Sequence, residues 1–299
     1  MNVTWWGVRG SIPVPGADTV RYGGNTACVS VQAGEHTVIF DAGSGIRACG
    51  NRLLARRTPV EAVILITHTH WDHIQGFPFF VPSYIPGNSF TVCGPTSEVG
   101  GQTIRQTMEL QTKYEHFPVR VSQLGARIEY VECGEGRIDV NGLTIDACRV
   151  NHPVICLAYK LVFEGKVFVY GGDHEPYRNL YRDTTGRAEM DEELLGELDR
   201  NVEEQNRKIV EFCRDADLVS WDSQYTPEEY RSKIGWGHSC YESTMALARE
   251  AAIKHMVFTH HDPARTDSQL ADYETKYRDL ARRQGFRLDS AREGLTIEV

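Results

Sequence analysis

The apolar positions of this 299-residue chain fall into short runs separated by turn residues. Residues 2–6 predict a first strand. Cys28 to Gln32 and Thr37 to Phe40 predict a hairpin around Gly34. Ala62 to Thr67 is a continuous apolar run of the kind buried on both faces of a sheet. Phe90 to Cys93, Arg127 to Glu132, Leu143 to Val150, Val167 to Tyr170, Leu218 to Trp221, Met256 to Thr259 and Leu295 to Val299 predict further strands. Helical spacing predicts helices from about Ile46 to Arg56, and from a cap at Ser97 to about Tyr114 with Ile104 and Met108 on one face. Asp191 to Cys213 carries a stripe of Leu194, Leu198, Val202, Ile209 and Cys213 among Glu, Asp and Arg. Ser239 with Glu242 fits a capping box for another helix. A last helix shows Leu270, Tyr273, Tyr277 and Leu280 on one face and ends at Gly285. The pattern is layered α/β. With no legible repeat or linker, residues 1–299 read as a single domain, with a helical insertion around 174–216 that reads as a solvated amphipathic helix, a dimer contact or a lid.

Six of the short strands deliver a His or an Asp at their ends: Asp41, His68, His152, Asp173, Asp222 and His260. In layered α/β folds, ligands gather where strands end. One such ending carries little weight, whereas six are hard to explain as core packing. The densest stretch is Ile64-Leu65-Ile66-Thr67-His68-Thr69-His70-Trp71-Asp72-His73. Four potential ligands within six residues suggest two metals. Imidazoles with one carboxylate suit zinc first, with manganese or iron as alternatives. A loop that is His-rich by chance is the bland alternative, and eleven histidines over the whole chain make it a poor one.

Other features read two ways. Tyr22-Gly23-Gly24-Asn25-Thr26 is a plain tight turn or a backbone approach to the site. The aromatic stretch from Gln75 to Pro82 lines a pocket or plugs the core. His116 reads as a surface or packing histidine. His238 falls immediately before a predicted helix N-terminus, an anion-friendly place from which to contact a phosphate oxygen.

Composition adds bounds. Hydrophobic content of 41% and charged content of 24% are those of a globular chain. A net charge of −9 disfavours avid non-specific nucleic-acid binding, but not a small anion held at a local cation. No run reaches transmembrane length and no signal-peptide pattern opens the chain. Eight cysteines without a CxxC pair read as reduced core thiols, and the expected compartment is the cytoplasm.

His68-Thr69-His70-Trp71-Asp72-His73, Asn151-His152-Pro153, Gly172-Asp173 and Thr259-His260 resemble, in order, the motifs of the metallo-β-lactamase fold. Asp41-Ala42-Gly43 resembles that superfamily's first motif. Gly237-His238-Ser239 before an Ala-rich helix, and Thr259-His260 followed by Pro263, resemble the phosphodiesterase branch, which includes RNase Z. The resemblance implies an αββα four-layer sandwich with a dinuclear site. It implies that His68, His70 and His152 hold one divalent ion, that Asp72, His73 and His260 hold another, and that Asp173 bridges them. Asp41 would orient a ligand histidine and Asp222 would orient His238. The neighbours His174 and His261 compete with Asp173 and His260. The implied reaction is phosphodiester hydrolysis by a metal-bridged hydroxide, with Asp72 or Asp173 and His238 moving protons. A small nucleotide, cyclic nucleotides included, is the expected substrate. The alternatives are a tRNA 3′-end endonuclease, a lactonase-like hydrolase and a mononuclear iron oxygenase of the same fold.

Overall fold

The apolar runs pair into two seven-stranded sheets in the computed structural model, which describes residues 1–56, 58–98, 100–183 and 191–299. The first sheet is built from β1 (Asn2–Gly7), β2 (Cys28–Ala33), β3 (His36–Phe40), β4 (Glu61–Leu65), β5 (Ser89–Gly94) and β6 (Arg127–Glu132), with β14 (Thr296–Glu298) beside β1. The second comprises β7 (Gly136–Val140), β8 (Leu143–Val150), β9 (Cys156–Phe163), β10 (Lys166–Tyr170), β11 (Leu218–Asp222), β12 (His255–Thr259) and β13 (Arg287–Ser290), in that order across the sheet. Helices α1 (Ile46–Leu54), α2 (Trp71–Ile74) and α3 (Ile104–Gln111) accompany the first sheet. Helices α4 (Leu180–Asp183), α5 (Glu192–Cys213), α6 (Pro227–Tyr230), α7 (Tyr241–Glu250) and α8 (Asp267–Gln284) accompany the second.

Three apolar clusters make the αββα sandwich. One lies between the sheets and joins Val3, Trp5, Val31 and Phe40 to Ile145, Tyr159, Leu161 and Phe168. The other two lie outside, under α1 and α3 on one face and under α5, α7 and α8 on the other. Polar ties cross the middle layer: Trp5 Nε1 donates to Ser220 Oγ at 3.0 Å, and the Tyr159 hydroxyl to the Ile66 carbonyl at 2.8 Å.

Strand direction sets where the polar residues go. β3 runs parallel to β4, and β10 parallel to β11 and β12. β1 and β8 are each two antiparallel steps from β3 and β10, so they point the same way as those strands. The chain leaving β1, β3, β4, β8, β10, β11 and β12 therefore emerges at one edge of the two sheets.

Several expected elements are corrected. The helix expected from Ser97 begins only at Ile104, because Gly100 and Gly101 hold φ of +83° and +62° and break the turn. Thr103 caps it in a capping box with Gln106. The helix expected after Ser239 is capped by Cys240, whose backbone N–H donates to Ser243 Oγ at 3.1 Å. Ser239 Oγ is engaged elsewhere, donating to the His174 carbonyl at 2.6 Å. His238 thus stands three residues before the first helical residue, beyond the immediate reach of that helix's dipole. Within the insertion expected around 174–216, residues 184–190 lie outside the described residues. Of the predicted stripe, Ile209 and Cys213 are buried, while Leu194 is exposed. On α8, Leu280 is part-exposed and Ala281 takes the buried place.

Phe77 and Phe80 are buried under the first sheet, so the aromatic stretch after the ligand cluster acts mainly as a plug. His116 is exposed. All eight cysteines are buried and unbonded. Among the described residues, no helix is long and apolar enough to cross a membrane.

Phe40 fills the middle layer just before Asp41, within 5.3–6.2 Å of the rings of Tyr159, Phe168 and Tyr170. Phe40→Ala should cost about 3–5 kcal/mol through the cavity it leaves. The measurement is urea unfolding, with the midpoint lowered and the slope unchanged.

Candidate metal centre

Strand β4 ends at Leu65, and three residues later the chain presents His68. The following turn lifts His70 outward, and the single turn of α2 returns Asp72 and His73 inward. His152 comes two residues after β8, Asp173 three after β10, and His260 directly after β12. Asp222 is the last residue of β11. Asp41 follows β3 at φ +60°, and His260 also sits at φ +60°, a costly conformation for a residue with a Cβ.

These residues converge in two groups. His68, His70 and His152 have candidate ligand atoms within 4.8 Å of one another, as do Asp72, His73, Asp173 and His260. His152 Nε2 faces His70 Nδ1 at 3.1 Å. Asp173 Oδ2 joins the groups, 3.5 Å from His68 Nε2 and 3.2 Å from His73 Nε2, while its Oδ1 is 3.2 Å from His260 Nε2. Asp72 Oδ2 lies 3.1 Å from His260 Nε2. A further grouping places Asp222 and His238 with Asp173 and His260. The His238 ring stacks on His260 at 4.9 Å, and its Nδ1 bonds Asp222 Oδ2 at 2.8 Å.

The outer nitrogens of the inward-facing rings are held in a way that turns the inner ones toward the centre. His73 Nδ1–H donates to Asp41 at 2.7 Å, His152 Nδ1–H to the Gly237 carbonyl at 2.9 Å, and His260 Nδ1–H to Gln224 Oε1 at 3.2 Å. His68 Nδ1 is 3.1 Å from Thr67 Oγ1. Asp41 is wholly buried and also takes the Thr67 N–H at 2.8 Å and the Tyr170 hydroxyl at 3.0 Å. Fixed outer nitrogens with inner lone pairs are the arrangement of metal-binding imidazoles.

The electrostatics agree. Burial pushes His68 down, and His152 to about 4, which keeps these rings neutral with a free lone pair. Burial would lower His73 and His260 too, but the Asp173 and Asp72 carboxylates overcome it and raise both, His260 to about 9. Asp72 and Asp173 are held well below the usual carboxylate range despite burial, by the facing imidazoles. This negative focus draws protons onto His73 and His260, and a divalent cation would replace them. Among the described residues, buried His68 Nε2 lacks a hydrogen-bond partner, and Asp173 Oδ1 faces the His260 ring without hydrogen-bond geometry. Such unpaired polar atoms are costly unless something else binds them, and the donor set fits divalent metal ions.

The two competing neighbours do not reach the centre. His174 is buried against Trp221, accepts from the Asn151 N–H through Nδ1, and is pushed down to about 3 by burial. His261 is buried with its ring edge to Tyr22, and its Nε2–H donates to the Ala291 carbonyl. The Tyr22–Thr26 segment is a structural turn, whose Gly23 carbonyl receives the buried Arg9 Nε–H at 2.8 Å.

Sequence reasoning missed several partners of these side chains. The Ser11 N–H donates to Asp72 Oδ2 at 2.7 Å. Gly10 allows this approach, since a Cβ there would lie 2.4 Å from the His260 ring. The Gly/Pro-rich makeup of that loop was the available signal. Thr67 was legible only as the neighbour of His68. Gln224 and the Gly237 carbonyl carried no signal.

Two facing sheets with outer helices, and imidazole and carboxylate clusters at the strand ends, are the architecture of the metallo-β-lactamase fold. The family model described as "Beta-lactamase superfamily domain" matches residues 36–190, and the chain belongs to that family. The ribonuclease Z of Agathobacter rectalis is 23% identical over 94% of this chain and 93% of its own. Among solved structures, the metallo-beta-lactamase fold protein YhfI from Bacillus subtilis aligns with a TM-score of 0.66 and 16% identity, over 100% of this chain and 98% of that one. The short form of human tRNase Z aligns at 0.64 and 17%, over 100% and 99%.

Asp41→Ala would strand His73 in a buried site and break the ties to Thr67 and Tyr170. A loss of about 3–5 kcal/mol is expected, the range for removing one member of a buried pair. Urea unfolding of chelator-treated protein measures it free of any metal contribution.

Proposed function

We propose that this protein is a phosphodiesterase that works with two divalent cations. It is a metal-dependent hydrolase acting on phosphodiester bonds. The observation that carries the reading is two adjoining donor groups, with Asp173 of one 3.5 Å from His68 of the other and the Asp222–His238 pair set against them. His68, His70 and His152 would hold one cation, and Asp72, His73 and His260 the other, with Asp173 between. Zinc is the first candidate, manganese or iron the alternatives. Bound there, the cations would supply Lewis acidity toward a phosphoryl oxygen and lower the pKa of a shared water.

The chain's own residues do the rest. Asp72 and Asp173 are ionised and close enough to take a proton from an attacking water. Asp41 orients His73. Asp222 holds His238 through Nδ1, which leaves Nε2 to meet the leaving oxygen and either protonate it or balance its charge. The unbonded thiols fit a reducing compartment, and we place the enzyme in the cytoplasm.

For the substrate we favour a small nucleotide phosphodiester. Trp71, 66% exposed, stands between His70 and Asp72, and Trp236, 56% exposed, stands one residue before Gly237. The contacts from His70 to His152 and from His152 to Gly237 connect the two tryptophan positions along one rim. Lys233 Nζ lies 3.8 Å from the Trp236 ring centroid. Aromatic faces beside a phosphate site suit a nucleobase. The net charge of −9 disfavours a long polyanion. The second reading is a tRNA 3′-end endonuclease, and the near full-length likeness to a ribonuclease Z favours it.

His238→Ala should retain close to two metal ions per chain by elemental analysis while kcat on bis(p-nitrophenyl) phosphate falls about 10²–10⁴-fold. Undiminished kcat would remove His238 from the mechanism.

A substrate panel in added zinc or manganese separates the two readings. It spans cyclic mononucleotides, cyclic dinucleotides, glycerophosphocholine and a tRNA precursor. Trp236→Ala should raise KM about tenfold for the preferred nucleotide, in keeping with the loss of one stacked base, and much less for glycerophosphocholine. A higher kcat/KM on the tRNA precursor than on any small nucleotide would install the second reading.

A further inference from the structure

Glu175 is a buried carboxylate outside both donor groups, two residues beyond Asp173. Its oxygens are occupied. Oε1 and Oε2 receive the Gly235 N–H at 2.9 and 3.0 Å, Oε2 receives the Gly237 N–H at 2.8 Å, and Oε1 receives the Tyr230 hydroxyl at 2.8 Å. A carboxylate satisfied by four contacts from three donors has no need of a cation, so Glu175 is not a ligand.

What it holds is the loop from Gly235 to Gly237. The N–H of Gly237 is tied to Glu175, and its carbonyl receives the Nδ1–H of His152. The next residue is His238. Gly237 sits at φ +85°, and a Cβ there would lie 2.3 Å from His152 Nδ1, so the loop packs directly on that ring. The main chain of the same short segment clamps the opposite side: the Glu175 N–H donates to the Asn151 carbonyl at 2.9 Å, and the His174 carbonyl receives Ser239 Oγ–H. Residues 174 and 175 thus hold the chain on both sides of His238 and at the residue before His152.

We propose that Glu175 is a positioning residue for this half of the centre. It sets the height and tautomer of His152 through the Gly237 carbonyl, and it fixes the loop from which His238 projects. The inference rests on the two-cation reading above. A neutral amide in place of the carboxylate would turn an NH₂ group toward N–H and O–H donors, and the loop would lose at least one of its ties.

The test is zinc titration of metal-free protein against a chromophoric chelator, for wild type and Glu175→Gln. Two binding steps are expected for wild type. In the variant one step should weaken about tenfold or more, the range seen when an outer partner of a metal-bound histidine is lost, while the other step holds. The unfolding midpoint in chelator should stay near that of wild type, and kcat on bis(p-nitrophenyl) phosphate should fall at least tenfold with KM little changed. Unaltered zinc steps and kcat would overturn the proposal. So would equal weakening of both steps together with a lowered midpoint, since that marks a general structural role. If Glu175→Gln does not accumulate folded, Glu175→Asp, which keeps the charge on an arm one methylene shorter, is read by the same criteria. Wild type binding fewer than two zinc ions would sink the two-cation reading. Two ions in wild type with both steps intact in the variant would sink only the role of Glu175.

Discussion

Four carboxylates, Asp41, Asp72, Asp173 and Asp222, are buried near one another at a single edge of the sandwich. Burying one such charge alone is costly, and clustering four compounds the cost. Every one of them is set against an imidazole: Asp41 against His73, Asp222 against His238, Asp72 and Asp173 against His73 and His260. Asp173 ties the set across the two sheets, since His68 and His73 follow β4 while His260 follows β12. The apolar middle layer brings the sheets together. At this edge their closeness depends on positive charge, supplied by protonated imidazoles or by cations in their place.

The topology explains why one edge collects all of this. Each sheet contains four adjacent parallel strands, β3 to β6 in one and β10 to β13 in the other. In each, two antiparallel steps precede the parallel set, through β1 and β2 or through β8 and β9. The halves thus repeat one plan. β3 delivers Asp41 where β10 delivers Asp173, and β4 leads to His68 where β11 ends in Asp222. The chain leaving β1 reaches Asp72 through the Ser11 N–H. The sequence shows no such repeat, because the strands need only apolar residues in common, and many residues satisfy that need.

That contrast marks what could be read from the chain. Strand-end acids and imidazoles stand out because the strands are short and apolar, so a His or Asp at the end breaks the pattern visibly. The hairpin at Gly34 was legible for a similar reason, its turn chemistry being local. Caps were harder. Ser239 looked like a helix cap until its hydroxyl proved to be engaged by the His174 carbonyl, a contact between residues 65 apart. The helix placed from Ser97 failed because two consecutive glycines outweigh a good cap residue six positions too early. Partners such as the Gly237 carbonyl and Gln224 act through the folded chain. No residue type advertises a backbone carbonyl, so that part of the site was invisible in sequence.

The two donor groups differ in how the fold supports them. Asp72, His73, Asp173 and His260 are all buried, and their side chains are braced by Asp41, Gln224 and the Ser11 N–H. His70 is exposed and His152 only half-buried, and His152 leans on a glycine loop rather than on a strand. A rigid anionic half and a more open imidazole half suit a site that must hold charge firmly yet admit substrate, since loops on a fixed scaffold are where access and specificity are built. His238 stands between the halves, its ring 4.9 Å from that of His260 and 5.5 Å from that of His152, while Trp71 and Trp236 flank the open half. The division of labour runs along the bond between His152 and Gly237: on one side the centre is held by the core of the sandwich, and on the other by a loop whose shape depends on the buried carboxylate of Glu175.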